Sequence, residues 1–374
     1  MTADPAPKLI GSEIYRGSSY GSWHPLAIPR VSTVMDLTRA LGWVPPGSYI
    51  PSPRAKPAAL HAWHDPAYVA ALQRAEADGE VDEETRRRHD IGTVSNPIFP
   101  EIYRRPATAA GGSLLAGELL ATGGVIHNPA GGTHHGMPDR AGGFCYLNDP
   151  VLGILSLRRN GARRVAYVDI DAHHPDGVAV GFSGEPDVLM ISVHEEKRWP
   201  FTGALEDREG GSAVNLPVPA GLNDTEFNFI AGELILPLVE RFAPDAIVLQ
   251  CGADAVQEDP LSRLALSNNA HFGMVAALRP LSPRYLVLGG GGYNPWTVGR
   301  LWSGVWGTLL GAEMPDRVPP EAEEVLRALS WSRKGRGAPT EALMTTIRDA
   351  PREGPIGERV RADVGFLRRR EGLA

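Results

Sequence analysis

Between residues 125 and 292 the chain repeats one pattern, a short apolar run followed by a polar or glycine-rich break. The runs are "VIH" (125–127), "RVAYVDID" (164–171), "VLMISVH" (188–194), "AIVLQCGAD" (246–254) and "YLVLGGGG" (285–292). Runs this apolar are buried on both faces, as in a parallel sheet, and helical patterns lie between them. Asn148–Asp149–Pro150 reads as a helix start, a capping side chain ahead of a first-turn proline. That helix carries "VLGILSL" and stops near Gly161. "NLPVPAGLND" (215–224) reads as a loop that closes on a cap, and "TEFNFIAGELILPLVERF" (225–242) as a long amphipathic helix. Ser267 and Asn294 read as caps of two further helices.

The pattern predicts an α/β fold with a mostly parallel central sheet and helices on both faces. The N-terminal third reads as helical and loop-rich. No linker or internal repeat interrupts the chain, so one domain over residues 1–374 is expected. Its core would run to about residue 315, with 316–374 wrapping the surface. The 43 glycines and 33 prolines, with no low-complexity segment to hold them, predict long shaped loops on this scaffold.

Several function classes fall away. The net charge of −7 opposes nucleic-acid binding, and "RRRH" (86–89) and "RRR" (368–370) read as solvated faces. No apolar run approaches the roughly 18 residues of a membrane span. "MTADPAPKLI" lacks the charged start and apolar stretch of a signal peptide. Cys145 and Cys251 are the only cysteines, too few for a disulfide framework or a cysteine zinc site, which fits a cytoplasmic protein.

Open α/β sheets carry their sites at the carboxyl ends of strands. Here those ends hold His134–His135, Asp171–His173, Ser192–His194, Asp254 and Tyr293. "YVDIDAHHPDGV" (167–178) crowds Asp169, Asp171 and Asp176 around His173 and His174, and such crowding needs a compensating positive charge. On a strand, residues two apart share a face. Asp169 and Asp171 then point the same way, and His173 joins them if the chain stays extended. Two carboxylates and an imidazole suit Zn²⁺ or Fe²⁺, with Asp171, His173 and Asp254 as ligands and one position open. The alternative is a set of loop acids that cap helices.

"NPAGGTHHGM" (128–137) adds two histidines after a glycine-rich turn. "GGGGYN" (289–294) lacks the spacing of a dinucleotide or Walker loop, yet lets a strand-end tyrosine reach a site that bulkier loops would block. Together the parts suit hydrolysis. A divalent ion lowers the pKa of water to about 7. A histidine takes and returns the proton, and a tyrosine hydroxyl stabilises the oxyanion. Asp169 and Asp176 would orient the histidines.

From about residue 9 to about 315 these motifs resemble the histone deacetylase family in its bacterial form, which includes acetoin-utilisation proteins. "HPLAIPRVS", "NPAGGTHHG", "GFCYLND", "VDIDAHHPDGV", "GAD…EDPL" and "LGGGGYN" stand in the family's order. The resemblance implies an arginase–deacetylase fold and hydrolysis of acyl-lysine amides, releasing free amine and a carboxylate. It implies a Zn²⁺ or Fe²⁺ ion on Asp171, His173 and Asp254. His135 would be general base and then acid, His134 an electrostatic aid, and Asp176 and Asp169 their respective partners. Tyr293 would polarise the carbonyl. Gly143, Phe144, Trp199 and Leu261 would line the acyl-lysine tunnel, and Arg30 would lie near the acetate exit. Structural K⁺ is implied at Asp169, Asp171, His173, Ser192 and Val193, and again at Phe182, Glu185 and Val188.

Two departures stand out. Peptide-binding eukaryotic members carry, just after an "IG" pair, an acid that holds the substrate backbone. "DIGTVSNP" (90–97) has Thr93 and Val94 there. A small acylated amine such as an acetylpolyamine is therefore the alternative to an acylated protein. Pro175 replaces a residue that is often Gly or Cys and should be tolerated in a turn. A two-metal ureohydrolase is disfavoured, because "GADAVQEDP" lacks the second "DxD" pair. The sequence leaves the oligomeric state open.

Overall fold

A computed structural model describes residues 6–331 and 338–373. Met1–Pro5, which open the stretch read for a signal peptide, lie outside the described residues. Eight strands form one parallel sheet in the order β2-β1-β3-β8-β7-β4-β5-β6. They are β1 (Lys8–Gly11), β2 (Tyr49–Pro51), β3 (Gly124–Asn128), β4 (Val165–Asp169), β5 (Val188–Glu195), β6 (Ala213–Val218), β7 (Ala246–Gln250) and β8 (Arg284–Leu288).

The central strands are buried throughout, which is why they read as unbroken apolar runs. Alternate residues still serve opposite faces. Ala166 and Val168 join the core under the helices Asp224–Ile230, Asn268–Leu278 and Pro295–Leu310. Val165 and Tyr167 join the core under Asp149–Arg159 and Asp176–Phe182. The C-terminal residues Leu326, Ile347, Val364 and Leu367 belong to the first of these cores. There the buried Arg300 guanidinium meets Asp349 Oδ1 at 2.6 Å.

The sequence-read caps are present. Asn148 accepts from Val151 N, Ser267 from Asn269 N, and Asn294 from Trp296 N. Asn223 and Glu226 form a reciprocal capping box. Residues 225–242 are helical, but a π-turn at Ala231–Ile235 precedes Pro237. The wider turn accommodates a proline that has no N–H for an i−4 bond.

Three strands depart from the expected pattern. Residues 215–218 of the stretch read as a loop fall in β6, and the N-terminal third supplies β1 and β2. β6 and β2 are the sheet edges, where a strand needs partners on one side only and tolerates Pro217 or Pro51.

Candidate active site

The loops after four consecutive strands, β3, β8, β7 and β4, converge at one end of the sheet. They carry His134 and His135, Tyr293, Asp254, and Asp171 with His173. The strand of Asp171 does not stay extended as expected. β4 ends at Asp169, whose Oδ1 accepts from Asp171 N at 2.9 Å, and Asp171 Oδ1 accepts in turn from His173 N at 3.0 Å. These side-chain turns bend the chain, so Asp169 faces His134 while Asp171 faces Asp254.

Asp171, His173 and Asp254 each offer a donor atom, all within 4.8 Å of one another and all buried. His173 Nδ1 lies 3.2 Å from Asp171 Oδ1 and 3.0 Å from Asp254 Oδ2. Burial opposes protonation of His173, but the bonds and charges of the two carboxylates outweigh it and raise its pKa to about 10. Burial and the Asp171 charge push Asp254 up, while His134 and His173 overcome burial to hold Asp171 well below the usual carboxylate range. Two buried acids so close demand a cation between them. Two carboxylate oxygens and an imidazole nitrogen are the donor set for Zn²⁺ or Fe²⁺.

Two histidine–carboxylate pairs flank this cage. His134 Nδ1 is 2.8 Å from Asp169 Oδ2, and His135 Nδ1 is 2.7 Å from Asp176 Oδ1. The rings are 3.9 Å apart. They titrate apart. Asp169 and Asp171 overcome the burial of His134 and raise it to about 9, whereas burial and the neighbouring His134 charge lower His135 to about 4. His174 turns away to Thr202 Oγ1 at 2.9 Å.

The Gly289–Gly292 run brings backbone against the cage. Gly291 N donates to Asp171 Oδ2 at 2.7 Å, and a Cβ at Gly291 would lie 2.0 Å from Asp254 Oδ2. A Cβ at Gly252 would lie 2.1 Å from Asp171 Oδ2. Burial and the nearby Asp254 and Asp171 charges push the Tyr293 hydroxyl far above its ordinary value, which keeps it a donor.

A cleft of about 640 Å³ leads to the site, with His135, Gly143, Phe144, His173, Trp199, Leu261 and Tyr293 on its wall. The Phe144 and Tyr293 rings are 5.9 Å apart, and the Trp199 ring lies 4.6 Å from His135. Behind the histidines a cavity of about 70 Å³ holds Arg30. Arg30 donates to Gly290 O, and its guanidinium lies over the Trp302 ring. Asp169 and Ser192 are paired across β4 and β5, next to Val193. Phe182 O and Glu185 O accept consecutive turn bonds from Glu185 N and Val188 N.

The structure thus brings every sequence-predicted site residue near this strand end except Phe182, Glu185 and Val188, which stand on the turn that enters β5. Pro175 sits at the N-cap of the helix Asp176–Phe182. Sequence reasoning missed residues that act on the backbone. Asp259 accepts from Tyr293 N at 2.6 Å and from Leu261 N at 2.9 Å. Asn96 accepts from Phe144 N at 3.1 Å and holds a wall residue whose φ is +70°. Tyr167 donates to Asp169 Oδ2 at 2.6 Å. The only signal for Asp259 was its place in "EDPL".

Fold and site define an arginase–deacetylase α/β protein with an Asp–His–Asp cage beside two histidine–carboxylate pairs. The family model for the histone deacetylase domain matches residues 24–309. The chain is 31% identical over 327 residues to acetoin utilization protein AcuC of Bacillus subtilis, spanning 84% of each chain. It is 35% identical over 309 residues, 80% of its length, to a Caenorhabditis elegans relative, of which it spans 61%. A crystal structure of an HDAC homolog from Aquifex aeolicus superposes with a TM-score of 0.91 at 34% identity, covering 97% of this chain and 99% of that one. The chain belongs to the histone deacetylase family. Among the described residues no helix is long and apolar enough to cross a membrane.

Proposed function

We propose that this chain hydrolyses the amide of acylated lysine side chains, with Zn²⁺ or Fe²⁺ held by Asp171, His173 and Asp254. Water adds across the C–N bond. Its hydroxyl goes to the acyl carbon and its proton to the departing amine. The observation that carries this reading is the three-donor cage at the foot of the cleft, with His134–Asp169, His135–Asp176 and Tyr293 around it.

A divalent cation in the cage supplies Lewis acidity, acidifying water and polarising a carbonyl. His135 lines the cleft, and Asp176 orients its ring by holding Nδ1. Its Nε2 takes the proton of the attacking water and returns it to the leaving amine. His134, held by Asp169, keeps positive charge beside the developing oxyanion. Tyr293 donates its O–H to that oxygen. Gly143, Phe144, Trp199 and Leu261 enclose the lysine stem and keep bulk water out. Arg30 attracts the carboxylate product, and K⁺ is held at two places, one by groups of Asp169, Asp171, His173, Ser192 and Val193, the other on the turn of Phe182, Glu185 and Val188. Both cysteines are free and buried, consistent with work in the cytoplasm.

The test is a panel of acyl-lysine peptides and acetylpolyamines, run with pure Zn²⁺- and Fe²⁺-loaded protein. Release of acid and free amine is expected. If neither metal form turned over any substrate, the reading would be lost.

A further inference from the structure

The substrate of this site has a body beyond the reacting amine, and the mouth of the cleft bears on what that body is. Among the described residues seven large apolar side chains are exposed, and four of them stand around this mouth: Trp23, Val94, Trp199 and Phe201. Their exposures are 62%, 80%, 41% and 75%, enough for each to offer a face to a ligand. Trp199 and Phe201 line the cleft directly, and Val94 adjoins the lining residue Ser95. Trp23 is joined through the His24 ring, 5.5 Å from its own and 4.5 Å from that of Phe144. Scattered exposed hydrophobics need no explanation, but a cluster at a cleft marks a binding surface.

The charged groups at the same mouth are largely closed on one another. Arg198 grips Glu195 at 2.5 and 2.8 Å, and Lys197 lies 3.5 Å from Glu196. Asp90, also on the cleft lining, accepts from the neutral Asn96 Nδ2 at 2.8 Å and keeps its charge. Arg263 lines the cleft, and its guanidinium has no partner among the described residues. The mouth therefore offers apolar area, with the Arg263 guanidinium and the Asp90 carboxylate each lacking an oppositely charged partner among the described residues.

We propose that the mouth selects acylated amines whose body is apolar or aromatic. This rests on the deacylase reading above and deepens it. The collar removes apolar surface of the substrate from water, a gain that a polar or highly charged body does not supply. Basic protein tails and acetylpolyamines are the substrates it disfavours.

The experiment uses metal-loaded full-length protein and acetyl-lysine peptides flanked by Trp and Leu, by Gly, or by Lys and Arg, with acetylspermidine as the small polycation. Both kcat/KM and binding, the latter by tryptophan fluorescence, are recorded. Aromatic flanks should exceed basic flanks by about tenfold or more, chiefly in KM and Kd. Phe201→Ser and Trp23→Ser should each shrink that ratio severalfold. Equal or reversed preference in rate and binding would overturn the proposal. So would concentration-dependent self-association abolished by Phe201→Ser with flat rates across the panel, since the collar would then serve a second copy of the chain. If nothing were cleaved while binding kept the aromatic order, the hydrolase reading would fall and the collar would stand.

Discussion

The backbone N–H of Gly291 donates to Asp171 Oδ2 at 2.7 Å, so one wall of the cage is main chain. A methyl group there has no room, because a Cβ would come within 2.0 Å of Asp254 Oδ2. The Gly291 φ lies outside the left-handed region, so the backbone itself tolerates alanine. Gly291→Ala should lower divalent-cation affinity by at least about tenfold, the effect of displacing a group that orients a ligand. Metal titration checks this, with far-UV circular dichroism confirming an unchanged fold. Wild-type affinity in the variant would mean that the glycine loop does not shape the cage.

Tyr293 aims a protonated hydroxyl at the site from the end of the same loop. Tyr293→Phe removes one donor and leaves the ring packed against Phe144. The expected loss is two to three orders of magnitude in kcat, roughly that of one oxyanion donor, with KM little changed. A rate near that of the wild type would remove Tyr293 from the chemistry.

Asp254→Ala removes one carboxylate of a mutually repelling pair. Metal content after dialysis should fall to near zero, while the urea midpoint moves much less. The reason is that the lost charge was itself buried at a cost that only a cation relieves. A variant that retained stoichiometric metal would contradict the assignment of the cage.

The strands at the centre of the sheet were legible because burial on both faces leaves an unbroken apolar run, and each polar group gathered at the site follows such a run. β1, β2 and β6 were not, since "KLIG", "YIP" and "AVNLPV" are short or carry proline; β2 and β6 are edge strands, and β1 is fixed by pairing with β2 and β3. In the site, the grouping of Asp171, His173 and Asp254 with the two histidines and the tyrosine could be read from residue type and spacing. The Gly291 amide, the close approach at Gly252 and the hold of Asn96 on Phe144 could not. Those roles arise where distant segments meet, and residue type gives no sign of them.

Away from the site, His64 links acidity to stability. Its Nε2 accepts from Asn148 N at 2.9 Å and its Nδ1 faces Met137 O at 3.0 Å, so the neutral ring is the one the fold uses. Burial lowers its pKa to about 4, and burial does the same to His127. The unfolded chain titrates near 6.5, so between the two values it binds more protons than the native state. The contribution is complete above pH 6.5 and lost as pH falls toward 4, on the order of 3 kcal/mol for each histidine. Urea midpoints at pH 8, 6, 5 and 4 should fall through that window, and His64→Gln should be less stable at pH 8 with a shallower fall. A midpoint independent of pH between 7 and 4.5 would refute this.

Asp259 gives the most specific test of how the tyrosine is placed. Its two oxygens accept from Tyr293 N at 2.6 Å and Leu261 N at 2.9 Å, tying the donor loop to the tunnel wall. Burial and the Asp254 charge push its pKa up to about 8, so the carboxyl is kept at this place despite its surroundings. Asp259→Asn keeps the volume but leaves one acceptor for two N–H groups, and its amide must face one of them. An unmet buried donor costs roughly 1–3 kcal/mol. If Tyr293 shifts to relieve it, kcat should fall about tenfold or more while metal content stays stoichiometric. The combination with Tyr293→Phe should cost little beyond Tyr293→Phe alone, because the two act through one hydroxyl. Independent, multiplicative losses would show that Asp259 supports stability and not the placement of Tyr293.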